Sequence, residues 1–204
     1  IGVGGALTSL DINATGASTG TGNINILGNI GSDGTSGAGI VNIGNSSTGT
    51  ITFGTSSTES EYFTTGAQTY DAATYSLLGT DPDFNASSEN IKFLDGASGI
   101  TLATGSDLTV DTAHNQDGNI TIEGAIESTS GQTTTVTLEA GSGTVSVAGM
   151  ATGIGNVTLD GSGGVTLNAS ITTNGGNIDI DDPTTIGGAV VLTTAGGTVD
   201  FAST

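Results

Sequence analysis

One pentapeptide pattern, Gly-Asn-Ile-x-Ile, occurs three times in this chain, as GNINI at 22–26, GNITI at 118–122 and GNIDI at 176–180. Each copy sits inside the same order of alternating apolar pairs. Leu10/Ile12, Leu108/Val110 and Val165/Leu167 precede the three motifs. Val41/Ile43, Val136/Leu138 and Val190/Leu192 follow them, and Ile51/Phe53, Val145/Val147 and Val199/Phe201 come last. From the first isoleucine of the motif to the start of the last pair the intervals are 27, 25 and 21 residues. A repeated order of elements implies a repeated shape, and a chain that repeats a shape is building architecture.

Ile, Val and Leu alternating with Thr, Asn and Asp is the pattern of a strand with one buried face, and the glycine-rich breaks supply turns. From residue 91 onward strands are expected to begin near Ile91, Ile100, Leu108, Ile120, Val136, Val145, Val157, Val165, Ile178, Val190 and Val199, roughly one every 11 residues. No segment has the apolar spacing of an amphipathic helix, so the chain is all-β. Two architectures compete. An antiparallel β-sandwich would bury large aromatics between its sheets, yet there is no Trp and aromatic residues make up 4% of the chain. A right-handed parallel β-helix, or β-solenoid, needs only a column of aliphatic side chains and small residues at its corners. With 36 Gly and 58 Ser plus Thr among 204 residues, the solenoid is the better fit. In it Gly118 supplies unusual backbone angles at a corner, Asn119 hydrogen-bonds along a stack of equivalent residues, and Ile120 and Ile122 face inward. The alternative use of the motif is a ligand site lined by Asn23, Asn119 and Asn177.

Charge narrows the partners. Twenty acids against Lys92 and no arginine give a net charge of −19, a field that repels nucleic acid and anionic membrane surfaces. Zero cysteines exclude disulfides and thiolate metal sites. No apolar run is long enough for a membrane span, so no membrane insertion is expected. The absence of a leader-like start and of an initiator Met reads as a processed piece or an excised segment.

One segment departs from the repeat. Residues 54–90 hold Tyr62, Tyr70 and Tyr75, together with Phe63, Phe84 and Pro82, and divide a single continuous domain into coils 1–53, an irregular insertion 54–90 and coils 91–204. Its aromatics either plug the core where the solenoid is interrupted or, as a protruding loop, make Tyr62, Tyr70 and Tyr75 an interface. Within it Asp81, Asp83 and Asn85 alternate, a spacing that offers side-chain oxygens to calcium, the one candidate cation; the structural alternative is a capped turn around Pro82. The ligand pattern of an EF-hand is missing, since Ala86 and Lys92 occupy its glycine and glutamate positions. No cofactor is implied.

Signals for catalysis are sparse. His114, the one histidine, lies in the polar turn AHNQDGN beside Asp117, and no GxSxG elbow surrounds any serine. A lyase for acidic sugars would need basic residues that the chain lacks, which leaves a glycosidase with paired carboxylates as the enzymatic alternative. The run TTT at 133–135 raises ice binding, but the uneven repeat length argues against a flat threonine array. Sequons begin at Asn13, Asn45, Asn85, Asn119, Asn156 and Asn168, close to the number chance supplies.

The combination of ALTSLDINATGAST, TTGAQTY, GNITIEGAI and ITTNGGNIDIDDPTTIGGAVVLTTAGGTVDF resembles the filamentous haemagglutinin-like repeat regions of large bacterial surface and secreted proteins. That resemblance implies a right-handed parallel β-helix carried on an extracellular fibre or adhesin without enzymatic activity. The expectation is thus a structural segment of an adhesin, sheath or matrix fibre at the cell surface. Its partners would be identical subunits or adjacent repeats joined end to end, with a glycan or surface receptor as a further ligand and a calcium-dependent surface-layer module as a variant. Strand alternation close to both termini, with no polar cap, carries the end-to-end expectation.

Overall fold

The computed structural model describes residues 7–13, 22–31, 37–56, 59–87, 89–103, 105–113, 118–129 and 134–202. Each strand pairs in parallel with the strand one coil before or after it, and the chain winds a right-handed parallel β-helix of about seven turns. The first coil contains β1 (Ser9–Ile12) and β2 (Gly22–Ile26). The second contains β3 (Ile40–Gly44), β4 (Thr48–Phe53) and β5 (Glu59–Thr64), and the third β6 (Gln68–Ala72), β7 (Thr74–Leu77) and β8 (Thr80–Ala86). Next come β9 (Ile91–Asp95), β10 (Ile100–Leu102) and β11 (Leu108–Asp111), then β12 (Ile120–Ile122), β13 (Ile126–Ser128) and β14 (Thr134–Glu139). The sixth coil uses β15 (Thr144–Val147) and the long β16 (Met150–Asp160). The last two use β17 (Gly164–Leu167), β18 (Ile171–Thr173) and β19 (Ile178–Ile180), then β20 (Thr184–Ile186), β21 (Leu192–Thr194) and β22 (Val199–Phe201).

Three faces result. The first stacks β1, β3, β6, β9, β12, β15, β17 and β20. The second stacks β2, β4, β7, β10 and β13 onto the start of β16, then β18 and β21. The third stacks β5, β8, β11 and β14 onto the end of β16, then β19 and β22. Because β16 turns the corner without breaking, these two faces merge into one sheet.

The three motif copies do not share a face: GNINI lies on the second, GNITI on the first and GNIDI on the third. What the cassette records is the length of a coil. Ile24 pairs with Ile51, Ile120 with Val145 and Ile178 with Val199, so the intervals of 27, 25 and 21 residues are single turns of the helix. On the first face the turn varies from 31 residues between Ser9 and Ile40 to 19 between Val165 and Thr184. The variation falls in the corners and leaves the ladders in register.

Segment 54–90 is corrected by the structure: it is no insertion. It carries β5, β6, β7 and β8: β6, β7 and β8 pair with strands on both sides, and β5 extends the third face through β8 with one register shift between Glu59 and Glu61. The departure from the aliphatic pattern reflects what fills the coil, not a break in it. Inward positions elsewhere form a continuous aliphatic column. Ile91, Ile120, Val145 and Val165 stack on the first face, and Val110, Leu138, Leu159 and Ile180 on the third, each at most 1% exposed.

The role expected of Gly118 is also revised. Its φ is not positive; rather, a Cβ there would lie 2.1 Å from the Glu89 carbonyl oxygen, and one on Gly143 would lie 2.1 Å from the Gly118 carbonyl oxygen. Glycine is required because successive coils touch backbone to backbone at this corner. Gly118→Ala should therefore lower the urea midpoint by an amount corresponding to about 1–3 kcal/mol. Gly28→Ala, where nothing lies within 4 Å of the new carbon, should leave it within about 0.5 kcal/mol.

Candidate functional site

Tyr62, Tyr70 and Tyr75 are inside the solenoid, each 0% exposed. The interface expected of them is thereby corrected: alternation on β5, β6 and β7 turns all three inward, and they serve as the plug. Phe53 meets Tyr62 and Tyr70 edge-on with centroids 5.0 Å apart, Tyr62 stacks on Phe84 at 4.6 Å, and Phe93 joins Tyr70, Tyr75 and Phe84 at 5.0–5.3 Å. Such pairs add stability beyond the area they bury. Two of the three phenols have partners inside. Tyr70 Oη donates to Gln68 Oε1 at 2.9 Å, while Gln68 Nε2 donates to the Tyr62 and Asn85 carbonyls at 2.7 Å. Tyr75 Oη has its one proton shared between the Tyr70 and Leu94 carbonyls and accepts from Ala72 N. Burial pushes the Tyr62 phenol up to about 12 and raises Tyr70 and Tyr75 as well, so all three stay neutral at physiological pH.

The asparagines of the repeated motif are structural acceptors. Asn23 Oδ1 accepts from Thr50 N at 3.0 Å, Asn119 Oδ1 from Thr144 N at 2.8 Å, and Asn177 Oδ1 from Thr198 N at 3.0 Å. Asn90 does the same for Asn119 N and Asn156 for Asn177 N. Every one of these bonds reaches one coil forward, at a corner or, for Asn23, at the register shift between β2 and β4. The ligand-site alternative for Asn23, Asn119 and Asn177 gives way to this ladder, because their side-chain oxygens are already engaged.

The third face carries nine of the thirteen acids that lie in strands. Asp111, Glu139 and Asp160 are successive partners in one column, Glu61 pairs with Asp83, and Asp179 with Asp200. Parallel neighbours lie about 4.8 Å apart, so each column sets like charges side by side, which is destabilising. Lys92 is on the first face, between Thr69 and Thr121, and offsets none of it. Burial raises Asp160, helped by its hydrogen bond with Asp182 and by the charges of Asp182, Asp181 and Glu139. Burial likewise raises Asp179, with Asp181 and Asp200 adding.

Near the start of this face Asn29, Glu59, Glu61 and Asp83 line a cavity of about 350 Å³. A register shift between β5 and β8 lies beside it, with Asp81 at φ 48° just before Pro82; such bulges re-aim side chains. Asp83 Oδ1 is buried with no hydrogen-bond partner. Burial pushes the Asp83 carboxyl up to about 6; its hydrogen bond with Asn85 opposes the rise, and Glu61, Asp111 and Glu59 add to it.

The expected calcium ligands share the outward side of β8 but are not gathered. A strand rises about 3.3 Å per residue, which leaves Asp81 and Asn85 about 13 Å apart. Asp81 Oδ1 instead accepts from Asp107 N at 3.0 Å. Among the described residues no group of three or more His, Asp or Glu is placed to hold a metal ion. His114 and Asp117 lie outside the described residues. The cavity acids Glu59 and Glu61 escaped the sequence reading; their alternation with buried Ser60 and Tyr62 was the available signal.

Comparison with protein-family models, curated proteins and solved structures finds no match to this chain.

Two outcomes follow. Tyr70→Phe keeps the ring but strands the buried Gln68 Oε1, and should cost about 1–2 kcal/mol in urea unfolding. For Asp83 the folded-state value of about 6 lies above the unfolded one of 3.8. Its favourable contribution is complete below the unfolded value and is lost as pH rises through the folded one. The melting temperature should rise as pH falls from 7 to 4. Asp83→Asn should stabilise at pH 7 by about 1 kcal/mol, allowing for partial exposure, and flatten the profile between pH 4 and 6.

Proposed function

We propose that the chain is a non-enzymatic shaft segment of an extracellular bacterial adhesin, sheath or matrix fibre, continued end to end by further coils. One observation carries the reading. Ile186, Val199 and Phe201 are 54, 40 and 47% exposed, whereas their partners one coil earlier, Leu167, Ile178 and Ile180, are buried at 0%. Strands β20, β21 and β22 each pair on one side, so this coil presents core side chains and open strand edges together. A surface of that kind is a template for another coil, in the same polypeptide or in an identical copy. The filamentous haemagglutinin-like resemblance agrees with it, and the acidic flanks would keep neighbouring shafts apart.

A glycosidase is the second reading, favoured by one feature: Asp83, whose carboxyl burial pushes up to about 6, faces Glu61 at the cavity, and a pair of neighbouring carboxyl groups with one of them raised is what glycoside hydrolysis requires. Against it, seven of the eight aromatic side chains are buried and the eighth, Phe201, lies at the far end of the solenoid, so the cavity has no sugar platform. Negative-stain imaging of the native material, paired with a screen for sugar release, separates the two. The shaft reading expects rods or continuous fibres and no release. Discrete globular particles that liberate sugar, with release abolished in Asp83→Asn, would overturn it.

A further inference from the structure

Five Asx-Gly steps occur in this sequence, at Asp33, Asp95, Asp117, Asp160 and Asn174, and three of them fall among the described residues. Such steps are chemically vulnerable, because the glycine nitrogen can attack the side-chain carbonyl carbon of the residue before it, closing a five-membered ring with little steric hindrance. Two conditions decide whether a fold permits the attack. The glycine amide must not be committed to an acceptor, and the Asx side chain must be able to swing towards it.

Two of the described steps are closed on the first condition. Gly96 N donates to the Ala72 carbonyl at 3.0 Å, and Gly161 N donates to Asp182 Oδ2 at 2.7 Å. Asn174–Gly175 is different. It occupies the corner between β18 and β19, both residues are exposed, Gly175 has φ +90°, and a Cβ built on Gly175 meets nothing nearer than the Ala195 carbonyl at 3.7 Å. Among the described residues the Gly175 amide has no acceptor and the Asn174 carboxamide no partner. The corner is otherwise held from its flanks, by Asn174 N on the Ile154 carbonyl at 2.6 Å and Thr173 Oγ1 on the Gly176 carbonyl at 2.7 Å. Other asparagines are engaged through the side chain: Asn90, Asn119, Asn156 and Asn177 in the axial ladder, and Asn45 with Ser47 N.

We infer that Asn174 is a site of spontaneous deamidation in the folded protein, a covalent ageing site on the penultimate coil. Deprotonated Gly175 nitrogen attacks Asn174 Cγ, the Cγ–Nδ2 bond breaks, and ammonia leaves with the proton that solvent returns. The cyclic imide then takes up one water at either carbonyl and opens to aspartate or isoaspartate. Each event adds one negative charge, and the isoaspartate form also threads an extra methylene into the backbone three residues before Asn177. Asn177 joins three coils, donating through its amide to Asn156 and accepting from Thr198 N. Lengthening the chain there loosens β19 against β16 and β22.

The test incubates the folded protein at pH 8 and 37 °C and follows peptide masses, with isoaspartate detected by enzymatic methylation. The expected result is a gain of about one dalton at Asn174, roughly tenfold or more faster than at any other asparagine, as follows from a barrier lower by about 1.4 kcal/mol. The rate should rise with pH and be abolished in Asn174→Gln. Aged protein should show faster amide exchange at Val199–Phe201, which Asn174→Asp, adding charge without the methylene, should not reproduce. If Asn174 stays an amide in the folded chain while converting in a urea-unfolded control, the corner protects it and the inference fails. Conversion led by any other asparagine would overturn it equally.

Discussion

The parallel ladder between coils is the interaction on which everything else here depends. A parallel strand can satisfy its backbone only through the strands beside it, so each coil needs the one before and the one after. That requirement fixes register, and register fixes which side chains form columns. Aliphatic columns follow on the inside, and threonine, asparagine and carboxylate columns on the outside. Where the ladder is interrupted, at corners and at the register shift between β2 and β4, the Oδ1 of Asn23, Asn90, Asn119, Asn156 or Asn177 accepts the backbone amide instead. Where the backbones themselves must touch, at Gly118 and Gly143, no side chain fits.

The same stacking that builds the core creates its main electrostatic cost. Once a carboxylate occupies an outward position, its neighbours in the column are a strand spacing away, and the third face repeats this along Asp111, Glu139 and Asp160. The fold tolerates the repulsion because the inward columns are buried along the length of the helix. In the coils spanning residues 41–120 the interior is filled by six aromatic rings, and the buried Gln68 and two tyrosine hydroxyls settle their hydrogen bonds within it. In the shorter later coils Val, Ile and Leu suffice.

Much of this was legible in the sequence. All eleven strands expected after residue 91 are present, and the interval between the first and last pairs of each cassette is the coil length itself. The strands that escaped were β13, β18 and β20. Each has three residues, and a Ser or Thr occupies one of its two inward positions, as with Ser128, Thr173 and Thr184, so no alternating aliphatic pair marks them. The 54–90 segment misled for a related reason. Aromatic residues at inward positions look like a departure from an aliphatic repeat, although alternation in SEYF and QTYDA already places Tyr62 and Tyr70 on the buried side. The cavity beside Asp83 could not be read, because Asn29, Glu59 and Glu61 meet it only through pairing between coils.

The central claim is that strands distant in sequence are stacked in parallel and in register, and a paired-cysteine experiment addresses it most directly. Thr121 and Ser146 are cross-strand partners on the outside of the first face, whereas Thr121 and Thr137 belong to different faces. In the otherwise cysteine-free chain, Thr121→Cys with Ser146→Cys should form an intramolecular disulfide on mild oxidation of the folded protein, since neighbouring strands bring the two Cα atoms to about 5 Å, within bonding range. Thr121→Cys with Thr137→Cys should not. Equal crosslinking of both pairs, or none in the first, would contradict the stacked register and with it the solenoid.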